Sequence, residues 1–295
     1  MCSGPIGGMT SNIRIHEMPR TAEGVSEAVN CLVSGGWGTY RQFQPTFSFY
    51  SDESRCQAIV AGEEGGEPVG TAIAIQHGEV GWIGNVFVSP DLRGRGLGEK
   101  LTREALQHLR DTGCETIRLV ATPLGEPLYR KLGFRLETQY HELLGTGLGR
   151  QSSLPTGSRP LLASDLDDAI NFDRALTGED RSHLIRRFWP YGWVLTGSSA
   201  AIDGLVIPVP WGGAAALLRP QVVPGEASGF LTLVRSVVGP SSELMAYPTT
   251  ENVMAQRLLR QEGFVELRTM PRMVLGAERD WEAAALWSIF SPAMG

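Results

Sequence analysis

Between Ser89 and Leu101 the chain reads SPDLRGRGLGEKL, with three alternate glycines set among two arginines and a lysine. Gly94, Gly96 and Gly98 remove Cβ atoms from the path of the backbone, so neighbouring amide N–H groups can close on one anion. The apolar run WIGNVFV precedes the loop, and Leu97, Leu101, Ala105 and Leu109 after it recur at helical spacing. A loop that leaves a strand and opens a helix presents unpaired donors at the positive end of a helix dipole, and phosphate is the ligand that suits it. Arg93, Arg95 and Lys100 add formal charge; a glycine-rich connection with solvated arginines is the plainer alternative.

Two widespread phosphate loops fail on spacing. Started at Gly94, the dinucleotide pattern GxGxxG needs glycine where Glu99 stands. The pattern GxxxxGK[ST] meets Glu99 at its second glycine and Leu101 at its hydroxyl position. HELLG at His141 lacks the second histidine of HExxH, and no GxSxG occurs. Cys2, Cys31, Cys56 and Cys114 form no CxxC pair and have no histidine set at ligand spacing, so they read as reduced thiols and no metal is expected.

The elements that must position this loop follow from apolar periodicity. IRIHEM alternates as a strand, and Thr21 to Val33 has helical spacing. GGWGTYRQFQPTFSFY, aromatic and broken by Gly and Pro, predicts a mobile loop with short helical turns. RCQAIVAG and EPVGTAIAIQHGEVGWIGNVFVSP predict three antiparallel strands, TIRLVAT a further strand, and PLYRKLGF a short helix opened by Pro127 and closed by Gly133. GTGLGRQSSLPTGSRP, Gly145 to Pro160, is poor in apolar residues and reads as a linker. Beyond it, helices are expected near Leu166 to Leu176 and Gly229 to Val238, with strands at GWVLTG, DGLVIPV and ELMAYP. TPLGEPLYRKLGF and TENVMAQRLLRQEGF echo each other roughly 130 residues apart, each a short helix ending in Gly-Phe, so the chain reads as two diverged copies of one unit.

A chain of 295 residues with 42% apolar residues accommodates two domains. Its net charge of −6 argues against a nucleic-acid partner, since phosphate neutralisation needs a basic face. No run of about 18 apolar residues occurs. The opening MCSGPIGGMTSNIR lacks a basic start and an apolar signal core, so a cytoplasmic protein with no membrane partner is expected.

The spacing that does fit is [QR]xxGx[GA], given by Arg93, Gly96 and Gly98 after a hydrophobic strand. Here the sequence resembles the GNAT superfamily of N-acetyltransferases, and NVFVSPDLRGRGLGEKLTREAL, TIRLVAT and PLYRKLGF continue the resemblance in register from about Ile13 to Leu143. The implied fold class is α/β (α+β), with two GNAT-like domains, each a mixed, mostly antiparallel twisted sheet flanked by helices. The implied boundaries are a flexible segment at 1–12, a GNAT domain at 13–145, a linker at 146–159 and a degenerate GNAT-like domain at 160–295.

The resemblance also implies chemistry. The loop of Arg93, Gly94, Arg95, Gly96, Leu97 and Gly98 would hold the pyrophosphate of acetyl-CoA, and the backbones of Val86 and Val88 its pantetheine arm. An amine would then attack the thioester directly, helped by proximity and desolvation. Tyr129 stands where many members place the acid that protonates the departing thiolate; the plainer reading is a core tyrosine. Thr122 replaces an asparagine common seven residues before that tyrosine, and its hydroxyl would bond the cofactor backbone with less reach. Glu79 is the nearest acidic residue for a base, against a solvated turn carboxylate or a water chain. Trp37, Tyr40 and Phe43 would line the acceptor wall, although Trp37 also suits a core. The implied activity is transfer of acetyl to an amine of a small molecule or peptide; the alternative is a catalytically lapsed acetyl-CoA or CoA sensor, and the acidic charge weighs against a tRNA-dependent transferase. In the second half, Leu259 replaces the tyrosine, Asn252 occupies the asparagine position and LRPQVVPGEASG stands where the loop would be. Asp173 and Arg181 match recurrent positions there, as substrate contacts or as an internal ion pair. Oligomeric state stays open.

Overall fold

The structure, a computed structural model, describes residues 12–148, 154–197, 201–238 and 242–295. Cys2, nearly all of the expected terminal segment, and residues 149–153 of the expected linker lie outside the described residues. By contact the chain divides into two units, the described part of Met1–Gln76 with Ile83–Thr112, and His77–Trp82 with Gly113–Gly295.

The first unit opens with β1 (Arg14–Glu17), α1 (Ala22–Ser34) and α2 (Tyr40–Asp52), followed by β2 (Cys56–Gly62) and by β3 (Pro68–His77) and β4 (Val80–Val88) except for His77 and Val80–Trp82, and closes with α3 (Leu97–Asp111). β1, β2 and β3 pair antiparallel, with Ile15 opposite Ala61 and Val60 opposite Thr71. Leu97, Leu101, Ala105 and Leu109 are all buried on one face of α3, as their spacing predicts. The aromatic segment is a correction: Tyr40–Asp52 is a continuous helix with Pro45 inside it. The Gln42 side chain turns back to accept from the Thr39 amide at 2.9 Å, one half of a capping box. Phe47, Phe49 and Tyr50 then bury the inner face. Tertiary burial and this cap outweigh the weak helical propensity of the segment.

The second unit contains β5 (Thr116–Val120), α4 (Glu126–Lys131), β6 (Arg135–Thr146), β7 (Ser158–Pro160), α5 (Leu166–Thr177), α6 (Ser182–Phe188), β8 (Trp193–Thr196), β9 (Ile202–Pro208), β10 (Ala214–Leu218), α7 (Pro224–Ser236), β11 (Glu243–Ala246), α8 (Val253–Gln261), β12 (Val265–Gly276) and β13 (Leu286–Ser288). Two sheet segments result, in the orders β5-β12-β6-β11 and β13-β10-β9-β8-β7. Their pairings are antiparallel throughout. The mixed α/β class, with antiparallel-rich sheets flanked by helices, is the one expected.

The internal echo is real at the level of hydrogen bonds. After α4 the Phe134 amide donates to the Tyr129 carbonyl and the Gly133 amide to Arg130; after α8 the Phe264 amide donates to Leu259 and the Gly263 amide to Arg260. Gly133 and Gly263 both adopt left-handed backbone, φ 93° and 84°, which a glycine takes without a Cβ penalty. Leu259 is thus the structural counterpart of Tyr129. The strands that follow, β6 and β12, lie side by side, yet β12 also pairs with β5 and β6 also pairs with β11. Each copy gives its last strand to the other. For this reason the contacts do not divide the chain at the linker.

Candidate active site

In the first unit the glycine-rich loop forms a cradle. Gly94 and Gly96 are both left-handed, φ 74° and 78°, and Gly96 is the N-cap of α3 without any side chain capping it. The amides of Gly94, Arg95, Gly96, Leu97 and Gly98 donate to no group among the described residues. A Cβ added at Gly94 or Gly96 would meet nothing within 4 Å, so no other part of the chain crowds these two positions. Five donors without a partner among the described residues thus precede and open a 15-residue helix, whose dipole is positive at that end. Arg95 and Lys100 are exposed and make no ion pair among the described residues, leaving their charge available beside the cradle.

Arg93 behaves differently from the other two cations. Its Nε donates to the Val88 carbonyl at 3.0 Å and its guanidinium lies 5.8 Å from the Phe87 ring centroid. It therefore ties the loop to the end of β4. Trp37 packs against the same Phe87 ring, 5.4 Å between centroids, and Gly35 is required beside it because a Cβ there would fall 2.0 Å from the ring. Trp37 and Phe43 are half-buried, while Tyr40 is 40% exposed and its hydroxyl shares a hydrogen bond with Ser26. Val86 and Val88 are half-buried on either side of the buried Phe87.

In the second unit Tyr129 sits in α4, 7% exposed, with its ring edge-on to Phe134 at 5.9 Å. Its hydroxyl has no hydrogen-bond partner among the described residues. Burial pushes its pKa up to about 12, keeping the phenol protonated. Gly125 makes room for it, since a Cβ there would stand 2.9 Å from the Tyr129 ring. Thr122 lies in the same turn, where its hydroxyl accepts from the Gly125 amide at 3.2 Å and its carbonyl accepts from Glu126. Glu79 is 64% exposed and ion-paired with Arg279 at 2.7 Å, and Arg279 also holds Glu115.

The second copy has no cradle. Pro224 occupies the first turn of α7, and the Glu226 carboxylate turns onto the Val223 amide at the position where an anion would bind. Asn252 is the N-cap of α8, accepting from the Ala255 amide and donating to the Leu286 carbonyl. Asp173 and Arg181 form a buried two-bond ion pair, 2.6 and 3.1 Å, with Arg181 over the Phe290 ring. Sequence reasoning missed a larger buried network around Arg118, Glu137, Glu179 and Arg272. Among the described residues no group of three or more His, Cys, Asp or Glu is arranged to hold a metal, and no helix is long and apolar enough to cross a membrane.

Residues 23–134 match the model of the acetyltransferase (GNAT) family. Within that segment the chain is similar to a GNAT domain. Holothin acyltransferase of Pseudoalteromonas sp. (strain SANK 73390) is 27% identical over 143 residues, covering 46% of this chain and 47% of the relative. The chain spans about half the length, or less, of the curated relatives it matches. Among solved structures, a Pyrococcus horikoshii protein described as an acetyltransferase superposes with a TM-score of 0.79 at 18% identity, over 99% of both chains. A tandem GNAT protein from the clavulanic acid biosynthesis pathway superposes with a TM-score of 0.60 at 12% identity, over 91% of this chain and 100% of that one. These structures share the fold.

Proposed function

We propose that this chain is an acetyl-CoA-dependent N-acetyltransferase acting on an amine of a small molecule or peptide. The observation that carries the reading is the run of free amides from Gly94 to Gly98, within the segment that matches the GNAT family. The pyrophosphate of acetyl-CoA suits that loop: two adjoining anionic phosphates need several donors, and glycine at 94 and 96 adopts the left-handed backbone that presents them.

Acetyl-CoA supplies an activated acetyl thioester. The chain's residues do the rest in this reading. The loop amides with Arg95 and Lys100 hold the phosphates, and Arg93 fixes the loop to β4. The backbones of Val86 and Val88 orient the acyl arm, and Trp37, Tyr40 and Phe43 line the approach of the amine, whose positioning lowers the barrier by proximity. Tyr129 gives its proton to the departing sulfur; its phenol is protonated at neutral pH and its hydroxyl has no partner among the described residues. Thr122 steadies the turn that carries Tyr129. Glu79 is exposed and its carboxylate is engaged by Arg279 at 2.7 Å, so the reading does not depend on it.

Calorimetry with acetyl-CoA, CoA and ATP on the intact chain and on Gly96→Asp tests the reading. Acetyl-CoA is expected to bind in the micromolar range, about −8 kcal/mol, with binding lost when an anion is placed against the cradle. Absence of acetyl-CoA binding to the unaltered chain sinks the proposal.

A further inference from the structure

Asn85 is the one non-glycine residue with left-handed backbone among those described, φ 49°, and it lies inside β4. A left-handed residue interrupts the regular pleat, and a side-chain donor can then hold the carbonyl at the interruption. Thr71 of β3 does so: its hydroxyl donates to the Asn85 carbonyl at 2.7 Å, and the side chain is completely buried. The preceding residue is shaped for the same purpose. A Cβ at Gly70 would stand 2.9 Å from the Phe87 carbonyl oxygen, so β3 admits the displaced strand only because position 70 is glycine. Along β4 the residues from Val80 to Gly84 are buried, whereas Asn85, Val86 and Val88 are half-buried. The backbone leaves the interior at the left-handed residue, a few positions before the anion cradle.

We propose that Thr71 is a positioning residue for the acyl donor: its hydroxyl holds the Asn85 kink and so sets the course of Val86 to Val88, along which the pantetheine arm lies. This rests on the proposed acetyl-CoA site. A hydroxyl at position 71 is not needed for the strand itself, since Thr71 already lies in a regular β2–β3 ladder opposite Val60. Valine, the same shape without the donor, removes that hydrogen bond from the Asn85 carbonyl and lets the kink relax.

The test compares two ligands on Thr71→Val and Thr71→Ser: acetyl-CoA, and adenosine 3′,5′-bisphosphate, which lacks the pantetheine arm. Thr71→Val is expected to weaken acetyl-CoA on the order of tenfold while adenosine 3′,5′-bisphosphate changes by less than about twofold, and Thr71→Ser, which keeps the donor, restores acetyl-CoA binding. A merely structural role would weaken both ligands together or neither, and either result overturns the proposal. If Thr71→Val does not fold, Thr71→Cys, with a weaker donor in nearly the same volume, takes its place with the same split expected. Failure of the unaltered chain to bind acetyl-CoA removes the proposed function and this inference with it. Unchanged acetyl-CoA binding in Thr71→Val removes only the positioning role.

Discussion

Tyr140 and Met270 face each other across the β6–β12 ladder, and they occupy the same position in the two copies of the repeated unit. From that point the pairing runs outward symmetrically, His141 with Thr269 on one side and Gln139 with Pro271 on the other. The two copies are therefore related by a local twofold between their last strands, and the exchange joins them through backbone hydrogen bonds. A fragment of residues 12–145 lacks β12, which is the neighbour of both β5 and β6. It would expose two unpaired strand edges. It is expected to aggregate or to lack near-ultraviolet dichroism, while the full chain unfolds cooperatively. A dispersed amide NMR spectrum from the soluble fragment contradicts this.

Glu179 is the hub of the buried network within the second unit. It accepts from the Trp82 indole N–H with both oxygens at 3.1 Å and from Arg118 at 2.7 Å, while Glu137 bridges Arg118 and Arg272. The Arg272 guanidinium carbon lies over the Trp281 ring, 3.8 Å from its centroid. Glu179→Ala leaves two buried guanidinium groups with one carboxylate, and a loss of about 3–5 kcal/mol is expected in chemical denaturation. Burial alone would raise the Glu179 pKa, but Arg118, His77 and Arg272 outweigh it and hold it below the ordinary 4.5. The stabilisation is thus present at neutral pH and is lost as pH falls through the depressed value. Glu179→Gln should flatten the acid limb of the stability curve; an unaltered limb assigns acid unfolding to other carboxylates.

What the sequence reveals and what it hides have physical causes. The α3 face and the loop were legible because period 3.6 and alternate glycines are local signals, and Leu97 to Leu109 packs accordingly. The likeness of α4 and α8 was legible for the same reason, each helix ending in Gly-Phe. The exchange of β6 and β12 was not, because register between strands about 130 residues apart is set by tertiary pairing alone. Arg118, Glu137 and Arg272 alternate with apolar residues in strands, a pattern that reads as one solvated face when it is in fact a neutralised interior. α2 escaped because Pro45 and its aromatics look like loop, while the Gln42 cap that starts it rests on two hydrogen bonds from Thr39 alone. The kink at Asn85 leaves no trace in periodicity beyond one asparagine in an apolar strand.

Gly94 separates stability from binding. Its φ of 74° penalises any side chain, but the open space around it means that alanine meets no clash. Gly94→Ala is expected to lower unfolding free energy by about 1–2 kcal/mol. Alanine also disfavours the left-handed backbone that shapes the loop, so acetyl-CoA affinity should fall by more than about tenfold, or 1.4 kcal/mol. Thermal unfolding and calorimetry on one preparation give both values. Loss of stability with full retention of affinity means that the cradle does not contact the ligand.

Tyr129→Phe deletes the free hydroxyl and little else, since the ring's edge-on contact with Phe134 and its fit against Gly125 remain. If the phenol is the general acid, kcat falls by about 10²-fold or more while KM for acetyl-CoA stays near its original value. The pKa near 12 fixes where the alkaline limb lies: turnover of the unaltered enzyme should hold past pH 10 and decline toward 12, and the variant should lack that limb. Stability follows the same sign. The folded state keeps a proton that the unfolded chain releases near pH 10, so Tyr129 favours folding below that pH, and the advantage is lost as pH rises toward 12. Gly125→Ala is the companion variant, because its Cβ pushes against the Tyr129 ring without removing the hydroxyl. It should lower kcat through misplacement and keep the alkaline limb. Normal turnover in Tyr129→Phe across the alkaline range would assign the ring to packing and the proton to solvent.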